Sequence, residues 1–146
     1  RAEYIGRISE KITEVYRSIA ENDDRVAVEY VTEVESESGF LARLERDFER
    51  DRLLGHTSFG VHRDNYEFVF NGVRADGSAS RGEVRSIVIA LKFIEAEMIV
   101  ERLHHPPVVL LDDVFSELDG TRQKCLVKNF RENQIILTSV GEGRLY

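Results

Sequence analysis

Apolar positions along the chain fall into two periods, and the changes between them mark the elements. From residue 3 to residue 22, Tyr4, Ile5, Ile8, Ile12, Val15, Tyr16 and Ile19 recur at steps of three and four, which predicts an amphipathic helix with one apolar stripe. The stripe lasts barely three heptads, so it reads as a core-facing helix before it reads as a coiled-coil arm. Asn22-Asp23-Asp24 ends it. Val26, Val28 and Tyr30 then alternate with polar neighbours, and the period of two predicts a strand over 25–31. Glu33, Glu35 and Glu37 continue the alternation and read as that strand's solvated end and the loop beyond it.

A second helix is predicted from Phe40 to Leu54, with Phe40, Leu41, Leu44 and Phe48 inward. Its outer face carries Arg43, Arg46, Arg50 and Arg52, interleaved with Glu45, Asp47, Glu49 and Asp51. A nucleic-acid stripe needs one sign to dominate, so this face reads as solvated and held by ion pairs. Residues 55–65 are Gly-punctuated and lead into Tyr66, Phe68 and Phe70, which alternate. Asn71-Gly72 then favours a type I′ turn into Val73, so a hairpin is expected.

A long helix follows, from Ser80 to about Leu103, with Ile87, Val88, Ala90, Leu91, Ile94, Met98 and Ile99 spread nearly all round it. Such a helix is expected to be buried, which fixes its N-terminus by packing. His104 and His105 are adjacent, and His56 and His62 lack cysteine partners, so no histidine metal site is expected. Pro106-Pro107 breaks the chain before Val108-Val109-Leu110-Leu111, an apolar run typical of a parallel strand covered on both faces. A short helix from Asp119-Gly120-Thr121 carries Leu126, Val127 and Phe130, and Gln134 to Leu137 is a last core strand before Thr138-Ser139.

Composition sets the class. The 146 residues, 42% hydrophobic and 32% charged, suit one ordinary globular domain. No apolar run approaches the roughly 20 residues of a membrane helix. The single cysteine, Cys125, makes no internal disulfide, fits a reducing compartment and reads as an inert thiol on a packed helix. The net charge of -7 argues against a chain that binds nucleic acid by bulk charge, so any DNA contact has to come from a local patch or from other parts of the protein.

Two motifs carry candidate chemistry. Ser80-Arg81-Gly82-Glu83 fits a capping box, in which Ser80 and Glu83 satisfy orphan backbone donors. A fixed helix start also presents free N–H groups to a phosphate, with Gly82 allowing close approach and Ser80 a hydroxyl. On the hexapeptide alone, the capped core helix and the phosphate site both stand. The second motif is Asp112-Asp113 at the end of the apolar strand. Two successive carboxylates there call for a shared cation or proton, and the carboxyl ends of such strands are where ligands sit.

SRGEVR at 80–85, LLDDVFSELD at 110–119 and GVHRDN at 60–65 resemble the RecF family of bacterial recombination-repair ATPases, with motif likeness over about residues 55–140. Val61 and Asn65 depart from the family's GPHRDD element. His62-Arg63-Asp64 reads as a salt-bridged corner or as a functional element, and both stay open. The resemblance implies an α/β fold: part of an ABC-type ATPase head with its signature helix, Walker B strand and D-loop, beside a helical and antiparallel lobe. It divides the chain into a lobe over 1–105 ending in the signature helix and core strands over 106–146. Asp112 would hold Mg²⁺, Asp113 would act on the attacking water, Ser80, Arg81, Gly82 and Glu83 would face the ATP of an opposite subunit, and Ser116 and Asp119 would belong to the D-loop. Ser139 stands where related ATPases carry a switch histidine, so that role does not transfer.

No G-x-x-x-x-G-K-[ST] occurs, and none of the ten glycines precedes a lysine. The resemblance places that phosphate cradle upstream, so the chain reads as a C-terminal part that does not hydrolyse ATP alone. It implies a cytoplasmic protein of DNA replication, recombination and repair, linked to the SOS response. Such a protein would dimerise with ATP and Mg²⁺, bind DNA at single-/double-strand junctions and work with recombination mediator proteins. The alternative is a non-enzymatic scaffold or partner-binding domain that kept the ABC-type fold without nucleotide binding.

Overall fold

The computed structural model describes residues 1–34, 36–114 and 118–138. The Ile stripe forms α1, Ala2–Ala20, which closes on a left-handed Glu21 (φ 51°) whose N–H reaches Arg17 O. Strand β1 is Val26–Val31. It pairs antiparallel with β2, Asn65–Phe70, in the register Val26↔Phe70. Strand β3, Val73–Arg74, completes the hairpin across Asn71 and Gly72, whose φ values of 50° and 85° are those a type I′ turn demands. A single turn, α3 (Ala75–Ser78), leads to the long helix α4, Arg81–Leu103. Beyond the Pro-Pro break, β4 (Val109–Asp112) pairs in parallel with β5 (Ile135–Thr138) through α5, Gly120–Asn129.

One core joins these parts. Ile12, Tyr16 and Ile19 of α1, Ala90 and Ile94 of α4, and Leu126 of α5 are essentially sealed from solvent. Burying each large aliphatic side chain contributes about 1.5–3 kcal/mol. Tyr16 meets Phe70 edge-on at 5.9 Å, and Phe93 packs on Phe130 at 4.0 Å, so α1, the hairpin, α4 and α5 share aromatic contacts. Arg7–Glu101 and Lys11–Glu97 run along the solvent edge between α1 and α4. Exposed pairs of this kind fix alignment more than they stabilise.

The free edge of β1 is closed by α1. Thr13 Oγ1 accepts from Val26 N at 3.2 Å and donates to Val26 O, while Ser9 Oγ accepts from Val28 N at 3.4 Å. The geometry works because i,i+4 on a helix and i,i+2 on a strand both span about 6 Å. Edge amides that would otherwise invite another strand are thereby satisfied. Thr13→Val is expected to leave the Val26 amide group unpaired and to cost about 1–3 kcal/mol, read as a lower denaturation midpoint. An unchanged midpoint would remove the hydroxyl from this role.

Several sequence expectations need correction. The second helix, α2, spans Glu37–Leu54 with Ser36 as its cap, accepting from Gly39 N at 3.1 Å. Glu37 therefore opens a helix instead of prolonging a strand that ends at Val31; Glu35 lies outside the described residues. Leu41 and Phe48 are not inward: they are 54% and 60% exposed. What α2 packs on is a loop and not the core, with Phe40 against Phe59 at 5.6 Å and the Arg43 guanidinium 4.0 Å over the Phe59 ring. Its charged face is ion-paired as expected, through Arg43–Glu33, Arg46–Asp47 and Arg52–Glu49.

Helix α4 is buried along one side only, since Val84, Val88 and Leu103 are 40%, 47% and 53% exposed. Strand β4 is parallel but covered on one face: Val108 just before it and Leu110 within it are 53% and 71% exposed. Val127, expected on the apolar side of α5, is likewise 40% exposed. In each case the apolar residues are read correctly, but the described residues supply only one packing layer. No helix among the described residues is long and apolar enough to cross a membrane.

Candidate active site

The acids at the end of β4 are set by their pairing with β5. Asp112 lies opposite Thr138, and the Thr138 hydroxyl donates to Asp112 Oδ1. The next amide, Asp113 N, donates to Thr138 O at 3.2 Å and to Thr138 Oγ1 at 3.1 Å. Asp113 is left-handed (φ 50°), a conformation that short polar side chains tolerate better than most. One threonine thus fixes both the carboxylate of Asp112 and the backbone turn that aims Asp113. Both acids line a groove of about 500 Å³ whose opposite wall is α4, with Val88 and the bases Arg85 and Lys92.

At the start of this helix, just before the residues that line the groove, the capping box is complete. Ser80 N donates to Glu83 Oε2 at 2.6 Å, and Glu83 N donates to Ser80 Oγ at 3.3 Å. Ser80 and Arg81 are exposed, and a Cβ at Gly82 would meet nothing within 4 Å. The fold itself therefore does not demand glycine at position 82. Ser80–Glu83 do not line the groove that holds Asp112 and Asp113. The next two residues of α4, Val84 and Arg85, do line it.

Asp119 caps α5, accepting from Arg122 N at 3.0 Å and pairing with the Arg122 guanidinium. Its carboxyl is held below the usual range, first by that backbone N–H and then by the Arg122 side chain. Ser116, the other D-loop position, and Ser139 lie outside the described residues. Burial pushes the Cys125 thiol up, which suits a thiol of low reactivity.

The His62-Arg63-Asp64 corner is anchored through its acid. Asp64 accepts from Thr32 Oγ1 at 2.7 Å and from the Tyr30 hydroxyl, and these bonds, Tyr30 first, lower its pKa. His62 Nε2 meets Thr57 O at 3.2 Å, across a turn where Gly60 has φ 142°. Asp64 thus pins the loop to the end of β1.

Three residues that matter to this geometry went unassigned in the sequence: Thr138, Ser86 and Arg122. Ser86 was visible as a lone hydroxyl inside an apolar helix. Nothing in the pattern singled out Thr138 or Arg122, because strand register and helix docking decide their partners.

No family model matches the sequence. Curated relatives do. The chain is 38% identical over 137 residues to the DNA replication and repair protein RecF of Ruminiclostridium cellulolyticum, covering 92% of this chain and 35% of that protein. It is 37% identical over 146 residues to the DNA replication and repair protein RecF of Moorella thermoacetica, covering 99% and 39%. A solved structure described as the recombination mediator protein RecF-ATPrS in the RecFOR pathway superposes with a TM-score of 0.75 at 26% identity, over 97% of this chain and 40% of that one. The RecF-ATP structure of the same pathway gives a TM-score of 0.74. The chain spans about two fifths of the length of the RecF proteins it matches. By sequence over nearly its whole length, and by fold, this chain belongs to the RecF family.

Proposed function

We propose that this chain is the C-terminal part of a RecF-type ATPase, contributing the Walker B acids, the signature helix and the D-loop region to an ATP-driven dimer that acts in DNA recombination and repair. The observation that carries the reading is the acid pair at the carboxyl end of a parallel strand, locked by Thr138 and facing a groove. Relatives described as bound to ATP or an ATP analogue support the nucleotide. The triphosphate cradle would lie in the remainder of the protein, and the open face of β4 and α4 is where that remainder would pack.

Asp112 fits a magnesium ligand: it is an exposed, hard carboxylate with one oxygen oriented by the Thr138 hydroxyl. Mg²⁺ held there with ATP would offset the negative charge of the phosphates. Asp113 orients or deprotonates the attacking water. The Ser80–Glu83 helix start presents its N–H groups and the Ser80 hydroxyl to the γ-phosphate held by the other protomer. Residues 1–105 form the lobe that carries the signature and 106–146 the core strands. In the cell the assembled protein would work in the cytoplasm, engage DNA at single-/double-strand junctions and act with recombination mediator proteins. The net charge of -7 leaves DNA contact to local patches or to the rest of the protein.

The test is titration of the complete protein with ATP, with and without Mg²⁺. Asp112→Ala is expected to weaken Mg²⁺-dependent ATP binding by about tenfold or more, as loss of a charged ligand should. Equal Mg²⁺-dependent affinity in parent and variant would remove Asp112 from the site.

A further inference from the structure

Arg122 stands at the centre of a bonded chain that joins Asp119, the cap of α5, to the first turn of α4. Its backbone N–H and its guanidinium both engage Asp119, the residue that caps α5 six positions after Asp113. Its Nε donates to Ser86 Oγ at 2.8 Å. Ser86 is fully buried, and its hydroxyl donates onward to Gly82 O at 3.0 Å, in the first turn of α4. The path therefore runs carboxylate, guanidinium, hydroxyl, carbonyl, from Asp119 to the start of α4.

We infer that Arg122 is a positioning residue that holds the Ser80–Glu83 helix start at a fixed orientation to Asp119 and the start of α5, so that the two act as one unit in turnover. The chemistry of arginine suits this. A planar, permanently charged guanidinium fixes two bonding directions at once, which an ammonium does not. Ser86 is the one residue in the core-facing side of α4 whose side chain is polar, and both its donor and its acceptor capacity are used in the path. A cap alone would require only Asp119 and the Arg122 N–H. The guanidinium's reach to α4 goes beyond that.

The inference rests on the ATPase reading, and its test separates the two. In the complete protein, Arg122→Gln and Ser86→Ala are each measured for ATP turnover, KM for ATP and thermal midpoint, beside Asp113→Asn. Both variants are expected to keep KM near the parental value and to lose about tenfold or more in kcat, as expected when interactions made only in the transition state are lost. The double variant should be no slower than the slower single one, because the two residues act in one path. Ser86→Ala leaves the Asp119–Arg122 cap intact, so it isolates the link to α4 from helix stability. Parental kcat in Ser86→Ala, additive losses in the double variant, or a kcat loss that merely follows a collapsed midpoint would each overturn the relay. If Asp113→Asn itself turned over like the parent, the fault would lie with the ATPase reading instead.

Discussion

Ser80→Arg in the complete protein is expected to abolish ATP-dependent dimerisation and hydrolysis while sparing the monomer. The argument is one of unequal costs. Ser80 accepts from Glu83 N, and losing that cap costs about 1 kcal/mol, which a domain with this core survives. Glu83 continues to accept from the residue 80 amide, so half of the capping box persists. Ser80 is exposed, so the arginine has room in a lone protomer. In a closed dimer the same position would face a phosphate across the interface, and there a long side chain keeps the protomers apart. Sedimentation velocity with and without ATP, beside nucleotide titration and a thermal melt, reads all three quantities. A variant that still dimerises with ATP, or that simply unfolds, would return Ser80 to the role of a helix cap.

Asp113→Asn is expected to bind ATP like the parent and to hydrolyse it about 10²–10⁴-fold more slowly, the range for loss of a positioned general base. The substitution preserves size and the left-handed backbone that asparagine also tolerates, and the bonds from Asp113 N to Thr138 are untouched. What is lost is the carboxylate's negative charge and with it the capacity to accept a proton. The ATP-bound dimer should therefore accumulate instead of turning over. Parental turnover would show that Asp113 does not act on the attacking water.

Most of the elements were legible in the sequence because their signals are local. The Ile stripe of α1, the Asn71-Gly72 turn and the Ser80–Glu83 capping box each carry their own period or turn chemistry, and all three form as expected. Errors arose where an apolar residue says that it is to be covered but not by what. Leu41 and Phe48 of α2, Val88 of α4 and Leu110 of β4 fall into this group, since only one layer covers them here. The same limit applies to the site. Asp112 and Asp113 stand out as consecutive acids ending an apolar run. Thr138 and Arg122 gain their roles only through β4–β5 register and the docking of α5 on α4, which no local pattern encodes.

The central claim is that the Ser80 helix start of one protomer completes the Asp113 site of the other, and a mixing experiment addresses it directly. Ser80→Ala removes one hydrogen bond to a charged group and is expected to slow hydrolysis by about 10–100-fold. Asp113→Asn is slow for a separate reason. When equal amounts of the two complete proteins are mixed with ATP, half of the resulting dimers are mixed, and each contains one site with both parental residues. Hydrolysis is then predicted to recover to roughly a quarter of the parental rate, far above either variant alone, because one site in four is intact under random pairing. If Ser80 served the ATP of its own protomer, no mixed dimer would hold an intact site, and activity no greater than the average of the two variants would contradict the account.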